Sequence, residues 1–246
     1  MMTLQELLSP MRKAINDFDM IQNGDKIAVG VSGGKDSLVL LTLLAAFQRY
    51  FDKKFDLCGI TIDMGFAESD FSPVKEYCRQ LGVEYHIEKT DLAEIIFDVR
   101  KEKNPCSLCA KMRRGALNNK INQLGYNKLA LGHHKNDVVD TFLLSLFYEG
   151  RLNTFQPVSY MSRSNVTLIR PMIYIDERDI AGFAKTLPVC KSPCPADKHS
   201  QREGMKDLKR QLAQTFPDVN DRIANAVMHP ERYSLWGKQD DRATKK

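Results

Sequence analysis

The sequence predicts an α/β fold built on a doubly wound, mostly parallel sheet with extra helices, and three observations carry that expectation. Short apolar runs of strand length alternate with longer runs of helical period. A glycine pair, Gly33-Gly34, stands between the first strand-like run and the helix-like run after it. Polar turns follow three of the strands, where ligands bind in sheets of this kind.

Leu4, Leu8, Met11, Ile15 and Phe18 recur at helical spacing and predict an amphipathic helix, ended by the turn signal Asn23-Gly24. Residues 26–31 read as the first strand and the apolar run 38–51 as a buried helix. A strand over 57–63, a helix over 72–81 and a strand over 83–88 follow. After an intervening helix come a strand at 128–131, a helix at 136–148, a short strand at 167–169 and helices at 177–186 and 203–216. Beyond Pro230 the chain is polar and reads as a mobile tail, and no internal repeat interrupts this order.

The 246 residues are 43% hydrophobic and 27% charged, enough to bury a full core. No apolar run is long enough to span a bilayer and the first 20 residues lack a secretion signal, so a cytoplasmic protein with no membrane partner is expected. A net charge of +5 favours a polyanionic partner. Six cysteines are too few for a disulfide scaffold at this length, and closely spaced ones in a reducing compartment point to metal or redox chemistry.

A phosphate chain needs backbone N–H groups converging at a helix N-terminus, and glycines allow the approach. Gly33 and Gly34 supply it, while Ser32, Lys35 and Ser37 add hydroxyls and a cation. The segment is not a Walker loop: three residues, not four, separate Gly30 from Gly34, and Asp36 follows Lys35. Asp63, ending the second strand, is expected beside the nucleotide or as a cap. Gly132-His133-His134 and Asp137 follow the fourth strand, where imidazole could orient phosphate, ligate metal or cap the next helix.

Cys106 and Cys109 stand three apart at the mouth of a helix, where the dipole favours thiolate. Cys190 and Cys194 lie far along the chain in a proline-broken stretch. The four could close a tetrahedral zinc site, whereas Cys58, within a strand, and Cys78, on a helix, read as core residues. Arg100, Lys101, Lys103, Lys111, Arg113 and Arg114 surround the first pair and would draw a polyanion to it.

Ser32-Gly33-Gly34-Lys35-Asp36-Ser37 resembles, at every fixed position, the Ser-Gly-Gly-x-Asp-Ser signature of the PP-loop ATP-pyrophosphatases, of the adenine nucleotide alpha hydrolase-like fold. Cys106-Ser-Leu-Cys109-Ala-Lys-Met-Arg113-Arg114-Gly115, Gly132-His133-His134-Lys-Asn-Asp137, Arg170-Pro171 and Cys194 followed by Gln201-Arg202 are similar to the tRNA 2-thiocytidine synthetase family over about residues 26–216.

This resemblance implies 2-thiolation of a cytidine at position 32 of the tRNA anticodon loop, through a base adenylated by ATP with Mg²⁺. A [4Fe-4S] cluster on Cys106, Cys109 and Cys194 would leave one iron open to carry sulfur. Cys190 stands four residues before Cys194 where the family has three, which leaves the choice of third ligand open. The implied catalytic residues are Asp36, Lys35 and Cys194; Ser32 to Ser37, Asp63, Gly132, His133 and Asp137 would hold the nucleotide. The implied partners are tRNA and a sulfur donor such as a cysteine desulfurase; a homodimer is expected because a small protein reading a large tRNA often does so as a symmetric pair. The implied organisation is an N-terminal helix over 1–24, the PP-loop domain with its cysteines over 25–216, and a C-terminal helix and tail over 217–246. A uridine thiolase, a lysidine synthetase and a zinc-stabilised RNA-binding module are the alternatives.

Overall fold

The computed structural model describes residues 2–100, 105–191, 193, 194 and 201–235, excepting the side chains of 201–203. Lys101, Lys103, the Gln201 and Arg202 side chains and the tail from 236 lie outside the described residues.

Five parallel strands, β1 Asp25–Gly30, β2 Phe55–Asp63, β3 Glu84–Lys89, β4 Lys128–Ala130 and β6 Val166–Ile169, form one sheet with β5 Val158–Met161. β5 pairs antiparallel with β6, and the strand order is β3-β2-β1-β4-β6-β5. The mostly parallel sheet expected from the alternation is present. β5 has no counterpart in the sequence reading. It is a four-residue edge strand with no fully buried position, so neither a long apolar run nor a clean alternation marks it. Its place comes from the hairpin to β6, whose turn holds Asn165 at φ +52°.

Side chains alternate along β1 with period two, so its two faces feed two cores. Ile27, Val29 and Val31 enter a core shared with the helices α1 Leu4–Asp17, α2 Lys35–Tyr50, α3 Ser72–Leu81 and α6 Glu177–Phe183. Ala28 turns the other way, into a core with Cys58, Ile60, Leu129 and Leu168 beneath α4 Pro105–Gln123. Burial on both faces is why β1 and β2 read as continuous apolar runs. Along α2 every residue from Ser37 to Ala45 is buried, and each leucine there contributes about 1.5–3 kcal/mol. Cys58 and Cys78 are core residues, as expected, and burial pushes their thiols up to about 12 and about 11.

A third, smaller core lies between α5 Lys135–Leu144, α7 Gln201–Thr215 and α8 Val219–Met228, around Val139, Leu143, Met205 and Ala224. A buried ion pair, Lys209 on α7 with Asp140 on α5, fastens α7 to the domain. The helix expected over 136–148 ends as an α-helix at Leu144 and continues as a π turn, Ser145–Glu149, stopped by Gly150 at φ +64°. No helix of the described residues is long and apolar enough to cross a membrane.

Candidate functional site

The sheet grows from β1 toward β2 and β3 on one side and toward β4 and β6 on the other. The chain therefore reverses direction between β1 and β4, and the loops leaving their carboxyl ends must splay apart there. Ser32 to Ser37 leaves β1, Gly132 to Asp137 leaves β4, and a crevice of about 410 Å³ opens between them.

The first wall is the glycine loop. Gly33 adopts φ +80°, which turns the chain so that Gly34 caps α2 and the first N–H groups of that helix face the crevice. Ser37 Oγ donates to Gly34 O (2.9 Å) and accepts from Ser32 N–H (3.1 Å), locking the turn from within. Gly34 N–H reaches Ser32 Oγ at 3.3 Å. The loop is thus shaped before any ligand arrives.

Gly132 forms the opposite wall at backbone contact. A Cβ there would lie 2.9 Å from the Asp36 carbonyl carbon and oxygen and 3.2 Å from Ser37 N. Gly132→Ala is expected to push β4 and the glycine loop apart, weakening binding of a phosphate chain in the crevice about 10- to 100-fold while far-ultraviolet circular dichroism stays unchanged. Titration with inorganic pyrophosphate checks this; an affinity within twofold of the parent would refute it.

Charged groups fill the space beside the loop. Lys35 Nζ contacts Asp36 Oδ1 at 2.9 Å and Oδ2 at 3.1 Å, and Glu177 Oε1 at 3.1 Å. Burial pulls the Lys35 amine down, but the two carboxylates outweigh it and hold it above its ordinary value. Burial raises Glu177, and Lys35 reverses that, leaving its carboxyl below the usual range. His134, 4% exposed, lies with Nε2 3.7 Å from Asp36 Oδ1 and 3.5 Å from Asp137 Oδ2, and its backbone N–H donates to Asp137 Oδ2 at 3.0 Å. Sequence reasoning named His133, His134, Asp36 and Asp137, with capping of the next helix among the roles open to the histidines, as His134 shows at the N-cap of α5, but missed the part of Glu177. Glu177 reads in sequence as an ordinary acidic residue of a helix's first turn; only the pairing of Lys35 with α6 reveals it.

His133 lines the crevice, its ring 4.9 Å from that of Phe155. The Arg170 guanidinium lies over the Phe155 ring, 4.7 Å from its centroid, and donates to Gln156 O. Burial, with Arg114 nearby, pushes the Arg170 guanidinium down to about 10. Asp63 is brought to the end of β2 but turned into its own bend, accepting from Gly65 N–H at 3.0 Å, and it does not line the crevice.

A second cavity of about 280 Å³ adjoins the first, lined by Cys109, Cys190 and Cys194 among others. Ser32, Ile62 and Arg113 line both cavities. Burial raises the Cys109 thiol, the nearby Cys194 and Cys106 add to this, and Arg113 opposes it. Cys190 keeps different company. Its N–H donates to Gly33 O (2.9 Å), its Cβ would lie 3.1 Å from one built on Gly33, and burial and Asp70 raise its thiol. Among the described residues no three His, Cys, Asp or Glu side chains are drawn together into a closed metal site. Cys109 and Cys194 line the second cavity and Cys106 lies near Cys109, soft thiol donors of the kind an iron–sulfur cluster takes. Arg113, Arg114 and Lys111 are exposed around them.

A family model described as PP-loop domain matches residues 4–190. A tRNA-cytidine(32) 2-sulfurtransferase of Syntrophotalea carbinolica is 40% identical over 220 residues, 87% of this chain and 85% of that protein. One of the same name from Geobacter sulfurreducens is 37% identical over 237 residues, 94% of this chain and 92% of that one. Among solved structures, the U34-tRNA thiolase NcsA from Methanococcus maripaludis, with its [4Fe-4S] cluster, matches at TM-score 0.71 and 25% identity, covering 94% of this chain and 80% of that chain.

Proposed function

This chain belongs to the PP-loop family and, within it, to the tRNA-cytidine(32) 2-sulfurtransferases, and on that premise we propose that it thiolates tRNA at the expense of ATP, replacing the C2 oxygen of cytidine 32 by sulfur. The observation that carries this reading is the common wall: the crevice of the glycine loop and a cavity lined by the thiols of Cys109, Cys190 and Cys194 meet at Ser32, Ile62 and Arg113. Activation of a base and delivery of sulfur to it need that adjacency.

The N–H groups at the start of α2, with Ser32 and Ser37, would receive the phosphates of ATP; Asp36 would hold Mg²⁺, and Lys35 would turn from its carboxylates to the phosphates. The cytidine C2 oxygen then attacks the α-phosphorus and pyrophosphate leaves. Gly132 and His133 close the opposite wall, and Asp137, fixed by His134, supports the nucleotide side. When bound on Cys106, Cys109 and Cys194, a [4Fe-4S] cluster would supply the sulfur nucleophile. The target base must leave its stack to enter, which a single-stranded loop permits at low cost.

The reaction consumes one sulfur per base, so a donor such as a cysteine desulfurase belongs to this reading. So do a cytoplasmic location, where thiols stay reduced, and a homodimer, the commonest way for a small chain to present a large surface to tRNA.

The test is to purify the protein without oxygen, measure iron, acid-labile sulfide and zinc, and incubate it with tRNA, ATP-Mg²⁺ and sulfide. About four iron and four sulfide per chain, with 2-thiocytidine formed only when ATP is present, is the expected result. One zinc, no iron and no thiolated nucleoside would overturn the proposal.

A further inference from the structure

We propose that Arg113 is a catalytic residue of the sulfur-transfer half-reaction, binding the adenylate as it leaves C2. This rests on the thiolation reading above. The helical spacing of Cys106, Cys109, Arg113 and Leu117 puts all four on one stripe of α4. The stripe begins at the thiols and ends in the nucleotide crevice, which Leu117 lines. Arg113 sits where it crosses from one cavity to the other, and of the residues lining both it alone is charged.

The other described cations nearby are differently engaged. Lys35 is held by Asp36 and Glu177 on the loop side. Arg170 is 8% exposed and bonded to Gln156 O. Arg114 lines only the nucleotide crevice and Lys191 only the cysteine cavity.

The chemistry needs a cation at that crossing. Adenylation leaves C2 bonded through oxygen to the α-phosphorus. In the second step a C2–S bond forms, the C2–O bond breaks, and its electron pair departs on the phosphate oxygen of AMP. The proton of the hydrosulfide is released to solvent, and nothing is oxidised or reduced. Negative charge grows on the departing phosphate on the side facing the sulfur, and a guanidinium can bind two of its oxygens at once. Arg113 therefore has less to do in the first step, where pyrophosphate leaves on the far side of the α-phosphorus at the glycine loop.

The test uses the holoenzyme with Arg113→Met and Arg113→Lys, following tRNA-dependent pyrophosphate release, 2-thiocytidine formation, tRNA KM and bound iron. For Arg113→Met, iron and pyrophosphate release should stay near parental values while the thiolation rate falls about 100-fold and adenylated tRNA accumulates in a single turnover. Arg113→Lys should recover part of the rate. Loss of iron would make Arg113 a support of Cys109 instead, and a rise in tRNA KM with both half-reactions slowed alike would make it an RNA anchor; either overturns the assignment, as would unchanged thiolation. A parent protein that forms no 2-thiocytidine would sink the thiolation reading and this one with it, an outcome distinct from an active parent with an equally active variant.

Discussion

Asp36→Asn is expected to lower ATP-dependent thiolation about 10³-fold with the melting temperature and the bound iron unchanged. The amide keeps the volume of the carboxylate, so the first turn of α2 survives. What is lost is the charge that faces the crevice between Lys35 Nζ, at 2.9 Å, and His134 Nε2, at 3.7 Å. Without it Mg²⁺ has no anionic ligand on the glycine loop, and Lys35 rests on Glu177 alone. Pyrophosphate release should fall in step with thiolation, because activation precedes sulfur transfer. A variant within tenfold of the parent in pyrophosphate release would remove Asp36 from the role given to it.

Cys194→Ala should separate the two halves in the opposite sense: iron and thiolation are lost, whereas tRNA-dependent pyrophosphate release continues. Cys194 and Cys106 both lie near enough to Cys109 to raise its thiol, and under the proposed ligand set the loss of one of three ligands opens the cluster site. Cys190→Ala should keep its iron, because the Cys190 thiol contacts the carbonyls of Asp70 and Pro188, and its backbone is tied to Gly33. Iron analysis of the two variants side by side decides the third ligand. Retention by Cys194→Ala with loss by Cys190→Ala would exchange their roles.

How much of this was legible beforehand follows the range of the forces involved. The glycine loop was readable because its turn, its helix cap and its hydroxyl bonds all arise within six consecutive residues. The same holds for α3, whose observed bounds, Ser72–Leu81, are those the sequence predicts. Cys58 and Cys78 were readable as core from the apolar periodicity around them. β5 was not, because an edge strand of four residues exists only through pairing with β6. Nor was the second half of the charge cluster, since Lys35 and Glu177 are 142 residues apart.

By itself, then, the sequence determined the order of the five parallel strands and the main helices between them, the phosphate loop and the inventory of thiols. Periodic burial, glycine dihedrals and donor chemistry are local properties, written in neighbouring residues. Only the tertiary structure decided that β4 joins β1 on the side away from β2, so that Gly132 meets the Asp36 backbone. It also decided that Cys190 and Cys194 share a cavity with Cys109 of α4, that Cys190 packs on Gly33, and that Arg113 lies between the two cavities. Those are contacts between segments far apart along the chain, set by how the two faces of one sheet are covered, and no local pattern encodes them.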